Sequence, residues 1–292
     1  VNAFDLLSEL PITIEPNASI DQAVQRMEEH RIRHLPVVQD SEVLGMVSDR
    51  DILLVVGQEG HTERTAQEDP TTAGDANQPV PARIEQIMSA PVRTVGSGLN
   101  LDRIVELLIS HKFSALPVVG DEGLLGVITK TDLLRWYGDF CRDHPTNPSA
   151  VCLVRSWMQH NLLTMQAGDP AVAAYQKMTR ADIQHLPVLD GKKLVGVISD
   201  RDLRRAFGQT FRAIDGRSRS SNESREGAPV STIMSPQPIT AEPDQTMAQA
   251  VGLMLEHHVS ALPVVTGGIL VGIITSFDVL HLIRSLVVCA AA

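Results

Sequence analysis

The chain has 292 residues, 43% of them hydrophobic and only 3% aromatic, which supplies apolar material for about two globular domains and excludes a disordered or fibrous chain. Asp and Glu outnumber Lys and Arg by 35 to 25, and a formal net charge of -10 opposes broad attraction to a nucleic-acid backbone or an anionic membrane, so any phosphate site has to be a local cluster of cations. Three cysteines, Cys141, Cys152 and Cys289, show neither metal-ligand spacing nor a disulfide framework, which points to a reducing, cytoplasmic compartment. No apolar run nears the roughly 20 residues that span a bilayer, and Val1 to Pro11 lacks the basic-then-apolar order of a signal peptide.

In chain order, the first elements are a short strand carrying Thr13 and an amphipathic helix over Ser19 to Ile32, where Ile20, Ala23, Val24 and Met27 fall at helical spacing behind Ser19 as N-cap. HLPVV at 34–38 and GMVSDRD from Gly45 follow, two β-branched runs on either side of the turn residues Gln39, Asp40 and Ser41, which reads as a hairpin. A second helix starts at the aspartate. After a polar stretch the same series returns with Thr94, LPVV at 116–119 and GVITKTD, then with Thr164, HLPVL at 185–189 and GVISDRD, and finally with Thr240, LPVV at 262–265 and GIITSFD. Pro36, Pro117, Pro187 and Pro263 precede Gly45, Gly126, Gly196 and Gly272 by one fixed spacing, and each glycine precedes Asp51, Asp132, Asp202 or Asp278 by another.

The fold class is therefore α+β, with four β-α-β-β-α repeats over 1–57, 84–140, 150–211 and 230–288, and with 58–83 and 212–229 as linkers or loops; Arg142 to Ser149 has the same polar character. Asn100, Asp169 followed by Pro170 as first helical residue, and Thr246 mark the later helix starts. Met27, Met178 and Met254, with Leu108 in the remaining copy, are expected in the core. Repeats 1 and 3 share H-L-P and S-D-R-D, whereas 2 and 4 share S-A-L-P-V-V, so the duplicated object was a pair. A repeat this small is marginal alone, and the copies are expected to pack as modules of about 1–140 and 150–292.

These motifs resemble the tandem cystathionine-β-synthase (CBS) domain. The resemblance implies that adjacent repeats pair into Bateman modules, with clefts that bind adenosine nucleotides (AMP, ADP or ATP) or S-adenosylmethionine as a regulatory ligand and signal to a partner protein. Carried over position by position, it makes Asp51, Asp132, Asp202 and Asp278 ribose acceptors, puts Ser48, Thr129, Ser199 and Thr275 on ribose or phosphate, and places Thr13, Thr94, Thr164 and Thr240 near the base. Arg50, Arg201 and Lys130 are expected at the phosphates, with Arg33, His34 and His185 as further phosphate contacts, while Phe277 stands at the corresponding place in repeat 4. A carboxylate accepts two ribose hydroxyls in charge-assisted bonds, helix N-termini offer N–H groups to phosphate, and Ile14, Val47, Val95 and Ile128 are expected as the apolar walls of the base pocket.

Each aspartate also carries a simpler reading as a helix N-cap, worth roughly 0.5–2 kcal/mol. Arg50 and Arg201 have the alternative of pairing with the neighbouring Asp49 and Asp200. The cation difference ranks the Asp51 and Asp202 clefts as tightest for a phosphorylated ligand and the Asp278 cleft as weakest. Ten histidines, including His257 and His258, form no metal-ligand pattern, the histidine pair being read as a solvated helix face, and no metal is expected. No nucleophile motif is present, and four symmetric carboxylates fit repeated binding, not catalysis. The chain is thus read as a non-enzymatic regulatory module, as a homodimer or an intrachain disc, with a ligand-independent dimerisation or interaction scaffold as the alternative.

Overall fold

The computed structural model describes residues 1–7, 11–56, 83–207 and 227–290, so 58–82 and 212–226 of the two expected linkers lie outside the described residues, as does the side chain of Cys289. The chain divides into two compact units. The larger contains Val1–Pro11, Arg93–Ser199 and Ala228–Ala292, and the smaller contains Ile12–Val92 and Asp200–Gly227.

In the smaller unit, helix α1 (Ile20–Glu29) starts at a capping box: Gln22 N–H donates to Ser19 Oγ at 3.2 Å and Ser19 N–H to Gln22 Oε1 at 2.9 Å. Strands β1 (His34–Gln39) and β2 (Glu42–Ser48) form an antiparallel hairpin, closed by left-handed Asp40 and Ser41. Helix α2 (Asp49–Val56) follows. Ile14, Ala23, Met27, Leu35, Val37 and Val47 make its core.

In the larger unit, β3 (Val95–Gly96), α3 (Leu101–Ser110), β4 (Ala115–Gly120), β5 (Gly123–Thr129) and α4 (Lys130–Asp143) repeat this order, and so do β6 (Met165–Gln166), α5 (Ala171–Ala181), β7 (His185–Asp190) and β8 (Lys193–Ser199). The closing helix of repeat 3, α6 (Asp200–Phe207), belongs to the smaller unit. Strand β9 (Ser235–Pro236), helix α7 (Met247–Glu256), strands β10 (Ala261–Thr266) and β11 (Ile269–Thr275) and helix α8 (Ser276–Ala290) complete repeat 4. All four hairpins bulge directly after the valine that follows the motif proline, at Val37, Val118, Val188 and Val264, so the repetition extends to backbone detail. Met27, Leu108, Met178 and Met254 are buried, as their shared helical position implies. The helices of repeats 2 and 4 pack on one another in a common core that buries Leu133, Leu134, Val279, Leu280 and Leu282.

Several local expectations change. The first strand shrinks to two residues or a single bridge, and each threonine stands just before it: Ile14 bridges Val37, Val95 pairs with Val118, Met165 with Val188, and Ala241 bridges Val264. Pro170 is the N-cap of α5, not its first residue. His257 and His258 lie past the end of α7, because His258 adopts the left-handed backbone that terminates a helix.

The stretch Arg142 to Ser149, read as a linker, is tied to α4. Buried Tyr137 donates its hydroxyl to Ser149 O at 2.6 Å, and Cys152 Sγ donates to the same carbonyl at 3.1 Å. Burial pushes both the Cys141 and Cys152 thiols above the ordinary cysteine range, so each stays protonated at neutral pH. Alkylation of the native protein, followed by peptide mapping, is expected to modify these two residues at least about tenfold more slowly than alkylation after unfolding. Equal rates would show that the Tyr137 tether is open in solution.

Each repeat also lends its leading segment to its neighbour. Ala3, Ile84, Val154 and Val230 are fully buried. Their N–H groups donate to Leu99, Ala18, Gln245 and Asp169 carbonyls at 2.8, 3.0, 2.9 and 2.8 Å, in each case to the residue before the first-helix N-cap of the sibling repeat. Four residues further on, Leu7, Met88, Met158 and Met234 lie over Gly126, Gly45, Gly272 and Gly196. The motif glycine is thus required because a sibling side chain occupies the space of its Cβ, a contact that spacing alone did not disclose.

Candidate ligand clefts

Strand β2 ends at Ser48 and α2 begins at once, which puts Ser48 and Asp51 at the mouth of a helix N-terminus. Ser48 donates to Asp51 Oδ2 through both N–H, at 2.9 Å, and Oγ, at 2.6 Å. Thr129 makes the same pair of bonds to Asp132 Oδ2, at 2.8 and 2.6 Å, and Thr275 to Asp278 Oδ2, at 2.8 and 2.7 Å. In these three repeats one carboxylate oxygen therefore does the capping work, and ligand competence is decided at the other. Asp51 Oδ1 accepts from no protein group among the described residues. Asp132 Oδ1 accepts from exposed Arg135 at 3.0 Å, and Asp278 Oδ1 accepts from Gln159 Nε2 at 2.9 Å. In repeat 3, Ser199 closes β8 in the larger unit and Asp202 lies on α6 in the smaller one.

The cations are distributed differently from the sequence expectation. Within the smaller unit α2 packs on α6, and the two S-D-R-D motifs pair crosswise: Arg50 Nη2 reaches Asp200 Oδ1 at 3.2 Å and Arg201 Nη2 reaches Asp49 Oδ2 at 2.7 Å. Each arginine pairs with the aspartate of the other repeat, not with its own neighbour in sequence. Arg204 Nε adds a looser contact to Asp200 at 3.6 Å. The Arg33 guanidinium is held below the ordinary arginine range, first by partial burial and then by the charge of Arg201, with Asp49 opposing. Arg33, Arg50, Arg201 and Arg204 thus gather around Asp49 and Asp200, a local cluster of cations in an acidic chain.

Lys130 directly follows Thr129 and so occupies the place of Asp49 and Asp200, whereas Phe277 occupies that of Arg50 and Arg201; the expectation that Lys130 and Phe277 correspond was one residue out. In the larger unit the Lys130 ammonium sits 4.2 Å from the Phe277 ring centroid. The two residues after Ser/Thr form a contact code between helices, met as Asp49 with Arg201, Asp200 with Arg50, and Lys130 with Phe277.

The remaining expected residues fall as follows. His34 lies half-buried on β1 opposite Ser48, and His185 Nε2 pairs with Ser260 Oγ of repeat 4 at 3.1 Å. Thr13 O accepts from Arg26 and Thr164 O from Lys177 Nζ, at 2.7 Å in the latter case, while Thr94 and Thr240 are at least partly exposed beside their strands. Ile14, Val47, Val95 and Ile128, expected as pocket walls, are buried in the hydrophobic cores. Strand alternation turns the half-buried neighbours Val127 and Val197 to the opposite face. In repeat 4 the His281 imidazole is pushed below its ordinary range by burial and then by Arg284, so it adds no cation near Asp278 at neutral pH. A cavity of about 330 Å³ between α4 and α7 is lined by Arg135, Gly138, Arg142 and Gly252, and its two arginines already pair with Asp132 and Asp139.

Sequence reasoning missed Gln159, although a signal was present. Leu7, Met88, Met158 and Met234 precede Thr13, Thr94, Thr164 and Thr240 by one spacing, which aligns Gln159 with Ser89 and Ser235.

Comparison with known proteins places the fold. Over 274 residues the chain is 24% identical to protein MJ1225 of Methanocaldococcus jannaschii, covering 92% of this chain and 94% of that one. Over 288 residues it is 26% identical to MJ1404 of the same organism, of which it spans only 62%. The crystal structure of MJ1225 superimposes with a TM-score of 0.69 at 21% identity, covering 96% of this chain and 99% of that one, and so shares the fold. Residues 3–57, 84–139, 154–209 and 230–285 each match the CBS domain, and with the four hairpins, bulges and Ser/Thr–Asp motifs above, this chain belongs to the CBS domain family and carries four CBS domains.

Proposed function

We propose that the chain is a regulatory module whose CBS domains bind adenosine nucleotides and convert occupancy into a change passed to a partner protein. The observation that carries this reading is Asp51. Its Oδ2 caps α2 and its Oδ1 is left without a protein donor among the described residues, beside a cluster of Arg33, Arg50, Arg201 and Arg204. A carboxylate oxygen is suited to a ribose hydroxyl and a guanidinium to a phosphate. The ligand class remains AMP, ADP, ATP or S-adenosylmethionine, and Asp51 and Asp202 anchor the preferred clefts. Because Arg50 and Arg201 are held by Asp200 and Asp49, a phosphate that recruits either arginine loosens α2 from α6, and a ligand shifts an arrangement only through such a difference in affinity.

The test is calorimetric titration of the whole chain with AMP and adenosine. Asp51→Asn keeps an acceptor for Ser48 but turns an amide toward the ligand, and it is expected to weaken the tightest site about tenfold for both ligands. Unchanged binding would remove Asp51 from the site. The second reading, a ligand-independent scaffold, is favoured by the common core of repeats 2 and 4. It stands if neither ligand gives heat or a melting shift.

A further inference from the structure

Repeat 4 differs from repeats 1 and 2 in the origin of the group on its second carboxylate oxygen. Gln159 belongs to the leading segment of repeat 3, which lies along β11 of repeat 4. Its backbone is locked there: Gln159 N–H donates to Ile273 O at 2.8 Å and Ile273 N–H to Gln159 O at 3.2 Å. This fixes its Cα beside the strand two residues before Thr275 and presents the side-chain amide to Asp278, which is only 7% exposed. The siblings hold serine at the same register. Ser89 exchanges backbone bonds with Met46, and Ser235 pairs with Val197, the residues that correspond to Ile273. A serine hydroxyl ends one atom beyond Cβ and makes no bond to Asp51, whereas a glutamine amide ends three atoms beyond Cβ and reaches Asp278.

We propose that Gln159 is a specificity-determining residue that closes the repeat 4 cleft to ribose-bearing ligands by occupying the one oxygen of Asp278 not already used as a helix cap. The inference rests on the reading of the motif aspartates as ribose acceptors. A ribose hydroxyl entering this cleft meets a donor that is part of the same molecule, already positioned by a backbone ladder and bonded to an ionised, nearly buried acceptor. It has to displace that donor with no arginine in the place of Arg50, where Phe277 stands with the Lys130 ammonium over its ring, and with His281 held toward its neutral form. The loss of one charge-assisted bond corresponds to about tenfold or more in affinity. The chain therefore keeps four copies of the aspartate but withdraws one of them from binding.

The test compares the whole wild-type chain with Gln159→Ser, the residue its siblings carry, by calorimetric titration with adenosine, which avoids the phosphate dependence of the other clefts. Gln159→Asn, shorter by one methylene and still amide-bearing, guards against a folding defect in the serine variant. Either variant is expected to bind one more adenosine per chain than wild type, or to tighten one site by at least about tenfold, and adding Asp278→Asn should remove the gain. If wild type binds adenosine and neither variant gains a site, the proposed role of Gln159 is wrong while the ribose reading stands. If no protein binds adenosine or AMP, the ribose reading falls and takes this role with it. Melting of the Gln159→Ser and Asp278→Asn single and double variants then reports the contact alone, since additive shifts would show that the two side chains do not interact.

Discussion

Gly45→Val is expected to destabilise the protein by about 3 kcal/mol, the upper end of the usual cost of overpacking. A Cβ on Gly45 meets Met88 Sδ at 2.7 Å and Ser89 O at 3.0 Å, and valine adds two methyl groups beyond that atom. The sulfur can swing aside. The carbonyl cannot, because Ser89 O accepts from Met46 N–H at 3.1 Å and Ser89 N–H donates to Met46 O at 2.9 Å, so moving it breaks the pairing that holds the exchanged segment. Two milder substitutions separate these effects. Among the described residues the three atoms nearest a Cβ on Gly126 belong to the Leu7 side chain, the closest at 2.6 Å, so Leu7→Ala should restore much of the stability lost in Gly126→Ala. Gly45→Ala should be only partly rescued by Met88→Ala, since the Ser89 carbonyl remains. Chemical denaturation reads all of these as midpoint shifts at constant slope. Equal rescue at both glycines would mean that the leading segment is not anchored by its backbone.

Asp49→Arg is expected to cost about 2–3 kcal/mol, and a compensating Arg201→Asp to return most of it. Arg201 and Asp49 form a half-buried pair at 2.7 Å, and its mirror image, Arg50 with Asp200, lies beside it at 3.2 Å. An exposed pair contributes up to about 1 kcal/mol, while two unit charges 4 Å apart at an effective dielectric near 20 interact by about 4 kcal/mol before desolvation is charged against them. Charge reversal replaces an attraction by a repulsion inside a cluster that already holds Arg33 and Arg204, which places the effect between those limits. The swapped pair recovers the contact but sets a second guanidinium beside Arg50 and a second carboxylate beside Asp200, so recovery stays incomplete. A double-mutant cycle measures the coupling, and additivity would remove the crossed pairing from the account of how α2 and α6 pack.

The parts of this molecule that were legible in the sequence are those carried by short-range spacing. Pro36, Gly45 and Asp51, with their three later counterparts, mark hairpin, turn and helix start, and buried Met27, Met178 and Met254 follow from helical period. The capping role of the aspartates was legible for the same reason, since Ser48 and Asp51 are three residues apart. What escaped lies between residues far apart in the chain, such as Arg50 with Asp200 and Gln159 with Asp278, where no local pattern links the partners. That the arginines meet aspartates of another repeat was not legible, because those counter-charges lie about 150 residues away in the chain. Ile128 and Val47 were assigned to a pocket because an alternating strand names two faces without saying which one is covered.

The exchange of leading segments bears on how such a chain is made and inherited. During synthesis Ala3 emerges first, but the carbonyl of Leu99 that receives its N–H follows nearly a hundred residues later, several seconds or more at about 5–20 residues per second. The strand carrying Gly45 waits likewise for Met88. Repeats 1 and 3 cannot seat their covering segment until the start of the repeat that follows has been made, so a pair is the smallest block in which every leading segment has its seat. Genetic material copied one repeat at a time would deliver a strand without its cover and a segment without its seat. A block of two repeats carries both, in keeping with the alternation by which repeat 3 takes after repeat 1 and repeat 4 after repeat 2.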